Sequence, residues 1–178
     1  NRRGVIFGNR LPISKRIVYG ARRYHGYFFA WAVIYTFWYH PMEDTWGHLF
    51  GFFYMFLLLL QGSLFFTRAH VNRRWTVFLE ITFAIHGGMV AYLAGQGWQM
   101  FLLGGLAMFI ITQMHGLGLS RRARWLIALG YGLGVAVVYA GRGFGYLPEL
   151  AGIPLTLLAG VFVLALLVLG GQRVLRPA

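Results

Sequence analysis

A run of 21 residues at positions 46–66 most constrains the fold, because its only strongly polar members are His48, Gln61 and Ser63. At about 1.5 Å per residue, a helix of that length crosses a hydrocarbon core of about 30 Å. Charged residues make up only 11% of the chain, against about 25% in a typical soluble domain. Together these features predict an all-α, polytopic integral membrane protein.

Five further apolar segments divide the rest of the chain, and each ends at a turn or at a group of charged residues. We expect a bundle of six transmembrane helices at residues 24–39, 46–66, 75–95, 98–119, 125–140 and 153–171. Residues 24–178 would then form a single six-helix transmembrane domain. Residues 1–23 are rich in Lys and Arg, and we expect them to form a basic arm on the membrane surface, where anionic lipid head groups attract such side chains.

Basic residues are distributed very unequally over this predicted topology. All but one of the 16 Lys and Arg residues lie in the arm, in the loops 67–74 and 120–124, or in the tail, and Arg142 is the exception. Because short cytoplasmic loops carry an excess of Lys and Arg, the N and C termini are both predicted to be cytoplasmic, as in a protein of the bacterial plasma (inner) membrane. The net charge of +12 therefore has a topological cause, and no nucleic-acid partner is expected.

A group of ionisable side chains stands at the outer edge of the second segment, at His40, Glu43, Asp44 and His48. If the helix begins near Glu43, then Asp44 and His48 are four residues apart and share one face. Imidazole and carboxylate ligands suit a transition metal such as Zn, Cu or Fe. Pro41 followed by two acids is also the ordinary pattern of a helix start, because the helix dipole stabilises the acids. A metal site at His40, Asp44 and His48, with Glu43 as a weaker candidate ligand, and a simple helix start both remain open.

Five polar side chains lie inside the predicted spans and form an intramembrane polar layer: Gln61, Glu80, His86, Gln113 and His115. Counted from the predicted boundaries, His86 lies near the midplane and the other four lie in the cytoplasmic third. A carboxylate in the hydrocarbon region costs about 2.5–3.5 kcal/mol on insertion scales, so Glu80 must be protonated or partnered. One of the other three polar groups at its depth would supply that partner, either as a packing hydrogen bond or as part of a proton-carrying site.

Haem is not expected, because axial ligation by two histidines needs a pair at the same depth on facing helices. His86 has no such partner near the midplane. Near the cytoplasmic interface, only His25, His70 and His115 approach a common layer. The cofactor therefore stays unknown, with a transition metal as the one candidate that the residue pattern raises.

Small residues at helical spacing predict where the helices pack. Gly47 with Gly51, and Gly130 with Gly134, have the i, i+4 spacing that lets membrane helices approach closely. We expect a tight helix pair at each of them. The sixth segment has no ionisable residue over 153–171, and we expect it to face lipid or another subunit.

Three function classes remain open, because the chain has no cysteine and no nucleophile or nucleotide-binding motif. The first, which we expect, is a small integral subunit of a larger respiratory, photosynthetic or other redox assembly that packs against partner helices, lipid, quinone or pigment. The second is a membrane metalloenzyme or redox protein that uses the outer His/Asp group. The third is a proton-coupled transporter that uses His86 and Glu80. Whether the chain is an enzyme is left open.

The predicted topology has a direct test by cysteine labelling, since the chain has no cysteine of its own. Gln96→Cys and Ala123→Cys should react with a membrane-impermeant maleimide from opposite sides, Gln96→Cys from outside and Ala123→Cys from the cytoplasm. Labelling of both positions from the same side would rule out the six-span arrangement.

Overall fold

Six α-helices make up most of the part of the chain that the structure, a computed structural model, describes, which is residues 5–10, 13–39 and 45–174. The helices are α1 (Lys15–Tyr39), α2 (Trp46–Ser63), α3 (Arg73–Leu93), α4 (Trp98–Ile111), α5 (Arg121–Arg142) and α6 (Gly152–Val174). Two 3₁₀ helices, Gln113–Gly116 and Phe144–Ala151, follow α4 and α5. In those ranges the only β structure is a hairpin of β1 (Val5–Ile6) and β2 (Asn9–Arg10). The prediction of an all-α fold is confirmed.

Three helical segments are long and apolar enough to cross a membrane: Arg73–Leu93, Arg121–Arg142 and Phe144–Gly171. They correspond to the third, fifth and sixth predicted spans, and they mark the chain as a membrane protein. α4 has 14 residues and reaches only about 21 Å, which is short of a hydrocarbon core of about 30 Å. The count of six spans and the cytoplasmic position of both termini remain predictions.

α1 begins at Lys15, nine residues before the predicted start of the first span. The hydroxyl of Ser14 accepts a hydrogen bond from the backbone N–H of Arg16 at 3.2 Å, and the Ser14 carbonyl accepts one from Val18. Residues 15–23 of the predicted arm are therefore the first turns of α1. The role of the arm at the membrane surface stays a prediction.

α4 ends at Ile111, eight residues before the predicted end of the fourth span. A helix end leaves its last backbone carbonyls without helical partners. The backbone N–H of Phe7, in the turn of the β hairpin, donates to the carbonyl of Ile111 at 2.8 Å. The N-terminal hairpin thus packs against the end of α4, and the chain continues into the 3₁₀ helix Gln113–Gly116.

α3 and α4 pack closely against each other, and glycine makes this possible. A Cβ atom added at Gly88 would lie 2.8 Å from the Cβ of Leu102, and one added at Gly105 would lie 2.7 Å from the Cβ of Ala84. Both distances are too short for real carbon atoms, so these two positions require glycine. The turn between the helices also needs glycine, because Gly95 has a φ of 66°.

The two predicted glycine pairs have different outcomes. Gly47 and Gly51 are buried on α2, and a Cβ at Gly47 would lie 2.7 Å from Leu93 of α3. The close approach predicted there is confirmed for Gly47. Gly130 and Gly134 have no atom within 4 Å of an added Cβ, so the tight pair predicted at those positions is not formed within the described part of the chain.

α5 and α6 lie at the edge of the bundle, with few buried residues. Tyr139 is the only buried residue of α5, and Pro154 is the only one in the part of α6 whose side chains are described. α6 packs on α4 near Gly104, whose added Cβ would lie 3.2 Å from the Cβ of Ile153. α5 is joined to the middle of α4 by the hydroxyl of Tyr131, which donates to the carbonyl of Leu103 at 3.1 Å.

Candidate functional site

The densest polar group in the described part of the chain lies where α4 begins and α5 ends. We call it the Arg142 cluster, and it comprises Gln99, Tyr139, Arg142, Tyr146 and Glu149. α5 stops there because Gly143, with a φ of 104°, turns the backbone out of the helix. The 3₁₀ helix Phe144–Ala151 then brings Glu149 back towards Arg142.

The guanidinium of Arg142 pairs with the Glu149 carboxylate through one hydrogen bond and one further ion contact. Nη2 donates to Oε2 at 2.9 Å, and Nε lies 2.8 Å from Oε1, at ion-pair distance without hydrogen-bond geometry. Hydrogen bonds between charged groups are about twice as strong as neutral ones. The pair is shielded from solvent, since only 27% of the Arg142 side chain and 19% of the Glu149 side chain are exposed.

Three further side chains complete the cluster. The hydroxyl of Tyr139, a fully buried residue, donates to Oε1 of Glu149 at 2.6 Å. Nη1 of Arg142 donates to Oε1 of Gln99 on α4 at 3.2 Å. The ring of Tyr146 lies against the guanidinium, with 4.9 Å between the ring centroid and the central carbon, at cation–π distance.

The chemistry of this cluster is that of a structural clamp. One positive and one negative charge neutralise each other, Tyr139 and Gln99 are hydrogen-bonded to that pair, and the ring of Tyr146 covers the guanidinium. It contains no nucleophile such as Ser or Cys and no histidine. The cluster therefore holds together the ends of α4, α5 and the following 3₁₀ helix.

Sequence reasoning missed this cluster, although a signal was present. Arg142 is the only basic residue outside the arginine-rich side of the predicted topology, and Glu149 is the only acid in the second half of the chain. An isolated Arg and an isolated acid separated by seven positions near one membrane boundary are natural partners.

The predicted polar layer does not come together as one network around Glu80. Gln61 serves the loop between α2 and α3 instead, because its amide oxygen accepts from the indole N–H of Trp75 and its amide nitrogen donates to the carbonyl of His70 at 3.2 Å. In return, Nδ1 of His70 donates to the carbonyl of Gln61 at 3.1 Å. Gln61 is therefore a loop anchor.

Gln113 and His115 lie on the 3₁₀ helix after α4, near the N-terminal hairpin. Nη1 of Arg124 on α5 donates to Nδ1 of His115 at 3.4 Å, and the ring of Phe7 meets the imidazole edge-on with centroids 6.4 Å apart. His115 thus connects the hairpin, the 3₁₀ helix and the start of α5. The side-chain oxygen of Gln113 is buried and has no hydrogen-bond donor among the described residues.

Glu80 and His86 both lie on α3 and meet α2 at Tyr54. The carboxylate of Glu80 is close enough to the Tyr54 hydroxyl to interact with it electrostatically. The Tyr54 ring stacks on the His86 imidazole at 6.0 Å and 28°, and Phe50 meets the same imidazole at 6.0 Å. Tyr54, which sequence reasoning did not single out, is thus the residue that lies next to both predicted intramembrane groups.

The predicted outer metal group falls largely outside the described residues, since His40, Glu43 and Asp44 all do. Among the described residues, α2 begins at Trp46 with Thr45 as its N-cap. The expected i, i+4 relation of Asp44 and His48 involves a residue outside the described part of the chain and stays a prediction. His48 lies in the first turn of α2, where its backbone N–H donates to the capping hydroxyl of Thr45 at 3.3 Å and its Nδ1 lies 2.8 Å from the same hydroxyl. Within residues 5–10, 13–39 and 45–174, no three His, Asp or Glu side chains are arranged to hold a metal ion.

Two histidines meet on the side of the molecule where α2 ends. The imidazole centroids of His25 on α1 and His70 lie 6.2 Å apart, and Phe65 stacks on His70 at 4.6 Å while lying 5.6 Å from His25. These three rings form one aromatic contact between α1 and the loop that follows α2.

No relationship to a known protein supplies a function for these residues. The chain matches no protein-family model, and neither the curated proteins nor the solved structures include a significant match.

The Arg142 cluster makes a testable prediction about stability. Glu149→Ala should lower the free energy of unfolding by about 2 kcal/mol, because charge-assisted hydrogen bonds contribute about 1.5–3 kcal/mol and the remaining guanidinium loses its partner. Arg142→Ala should have a similar effect, and the double variant should lose much less than the sum. Unfolding of the purified chain in mixed micelles measures these differences.

A matched control is Arg68→Gln, which removes an exposed arginine in the loop between α2 and α3 and should leave stability within about 0.5 kcal/mol. If Glu149→Ala were no more destabilising than Arg68→Gln, the cluster would not be the clamp described above.

Proposed function

We propose that this chain is a small integral subunit of a larger assembly in a bacterial plasma membrane, and that it docks on a partner subunit through an aromatic face of α1. The single observation that carries this proposal is a ladder of exposed aromatic side chains along that helix. We call it the α1 ladder, and its members are Tyr24, Tyr27, Phe28, Trp31 and Tyr35.

The members of the α1 ladder contact one another and leave their outer surfaces uncovered. Trp31 stacks on Tyr35 with centroids 5.4 Å apart and meets Phe28 at a tilt with centroids 6.0 Å apart. Trp31 is 59% exposed and Tyr27 is 78% exposed. Within the described side chains of α1, Val33 is the only buried hydrophobic one. The helix therefore offers most of its apolar surface to something outside the chain.

Anchoring at the two membrane interfaces accounts for only part of this ladder. Trp and Tyr concentrate at the head-group level on either side of a membrane. The ladder instead continues from Tyr24 through Phe28 to Tyr35, a rise of about 17 Å along the helix, without an aliphatic middle. Large aromatic side chains are enriched at the centres of protein interfaces, where they bury much area at low entropic cost.

The partner class is a membrane subunit with an apolar helix face. A flat aromatic ligand such as a quinone or pigment, held between that subunit and the ladder, fits the same surface chemistry. The N-terminal half of α1 also carries Arg16, Arg22 and Arg23, which favour anionic lipid head groups or acidic side chains beside the docking surface.

The test uses the full chain in its own membrane. Trp31→Ala combined with Tyr35→Ala should abolish co-migration of the chain with a high-mass complex in native electrophoresis after mild solubilisation, because it removes the centre of the ladder. Leu126→Ala with Val137→Ala is the matched control, since these α5 side chains are 70% and 74% exposed and should leave the complex intact. A photo-crosslinking amino acid at Tyr27 should give one discrete protein adduct.

Two results would contradict the proposal. One is a chain that migrates as a monomer with lipid alone before any substitution is made. The other is a complex that survives loss of the ladder as well as it survives the control substitutions.

A second candidate function is proton transfer through the Glu80, Tyr54 and His86 group. The observation that favours it is that Tyr54 stacks on His86 and is within electrostatic range of Glu80, in the contact between α2 and α3. Acidic, phenolic and imidazole side chains in series are the usual carriers of protons inside membrane proteins.

Uptake of protons into liposomes containing the purified chain tests this candidate. Glu80→Gln and Tyr54→Phe should each stop uptake while leaving helix content unchanged, because both keep the size of the side chain and remove its titration. Phe83→Leu, an exposed neighbour of Tyr54, should leave uptake intact. Uptake that persists in Glu80→Gln would make Glu80 a packing residue.

A further inference from the structure

One face of α5 combines an apolar groove with an unpaired positive end. The groove is lined by Trp125, Ala128, Leu129, Gly132 and Leu133. These positions recur at helical spacing, so they form one continuous surface. Gly132 adds no side chain near the far end of the groove, and an added Cβ there would stand in open space, with no atom within 4 Å.

Arg121 and Arg122 stand at the head of this groove, in the first turn of α5. Arg121 is one helical turn before Trp125 and so shares its face. Both arginines are exposed, and in the described part of the chain neither makes a hydrogen bond or an ion pair. Arg124, the third arginine of this turn, is already engaged by His115.

The dimensions of this surface match one leaflet of a bilayer. From Arg121 to Leu133 the helix rises about 18 Å, and half of a hydrocarbon core of about 30 Å is about 15 Å. Trp125 lies between the charged and the apolar ends, where the head-group region places indole rings. A charged end, an aromatic residue at the boundary and an apolar groove one leaflet long are complementary to an amphiphile with a negative head.

We propose that the α5 groove binds an anionic phospholipid from the leaflet on the arginine-rich side, with its phosphate at Arg121 and Arg122 and one acyl chain along the groove to Gly132. A second copy of this chain does not fit the same face, because parallel packing would bring the two arginine pairs together. This site is independent of the α1 ladder, which lies on a different helix.

The experiment titrates the delipidated full chain, in a neutral detergent, with phosphatidylglycerol or with phosphatidylcholine of the same acyl chains, and counts bound lipid by native mass spectrometry. Wild type should bind one phosphatidylglycerol at concentrations at which phosphatidylcholine does not bind. Arg121→Gln with Arg122→Gln should weaken binding about 25-fold, because each basic side chain near the surface contributes about a factor of five. Gly132→Leu should abolish phosphatidylglycerol binding, because the added side chain would fill the groove at that position.

Matched controls separate a built site from general attraction. Arg68→Gln with Arg74→Gln removes the same charge from exposed positions on the same side, and Gly160→Leu adds the same side chain at an open position of α6. Both controls should bind as wild type does. Equal weakening in the two arginine double variants, equal binding of the two lipids, or unchanged binding in Gly132→Leu would each overturn the proposal, as would a co-purifying polypeptide that occupies the groove in place of lipid.

Discussion

The position of α5 depends on polar contacts, because hydrophobic burial does little to join helices that lipid can cover equally well. Arg124 meets His115 at one end, Tyr131 meets the backbone of α4 in the middle, and Arg142 meets Gln99 and Glu149 at the other end. Each of these groups would be costly to leave in hydrocarbon without a partner. The helix is therefore held by pairing at three levels, while most of its apolar side chains face outward.

The α3–α4 pair shows the other way in which membrane helices associate. Gly88 and Gly105 let the two backbones approach until Leu102 and Ala84 touch the opposite helix. Threonines on this pair satisfy their hydroxyls within their own helix, as when Thr82 donates to the carbonyl of Phe78 at 2.8 Å. Close packing of small residues thus forms the centre of the bundle, and hydrogen bonds attach the helices around it.

The positions of the helices could be predicted from the sequence, while the residues that pair between helices could not. The 46–66 run and the other apolar segments predicted helices, because a helix satisfies its backbone hydrogen bonds within one segment, and an α-helix is found in each of them. The end of α4 was missed because a distant residue decides it, since Phe7 pairs with the carbonyl of Ile111. The start of α1 was missed because of a local cap, Ser14, which precedes the apolar residues of the span. Gly47 was identified correctly by spacing, but the same spacing at Gly130 and Gly134 faces open space, because spacing does not say whether a second helix is present.

Pairings between residues that are far apart in the sequence could not be predicted, for a related reason. Depth along the membrane can be counted from a boundary, and it placed Gln61 and Glu80 at a similar level. Rotation about the helix axis and the identity of the facing helix decide which groups meet. Gln61 is hydrogen-bonded to Trp75, and Glu80 interacts electrostatically with Tyr54. The pairing of Arg142 with Glu149 was the easiest to predict, because the two residues are close in the sequence and each is isolated from other residues of its charge.

Arg124, Tyr131 and Arg142, which attach α5, also fix its rotation about the helix axis. Arg124 and Arg142 are separated by 18 positions, which is five full turns of 3.6 residues, and Tyr131 lies within about 20° of the line that joins them. The attachment is consequently a straight seam parallel to the helix axis. A rotation by a single residue, 100°, would carry all three polar groups off the seam together, so intermediate orientations have no partial set of bonds to stabilise them. The three polar contacts therefore select one rotation of α5 about its axis. They also determine which side chains of the helix face outward.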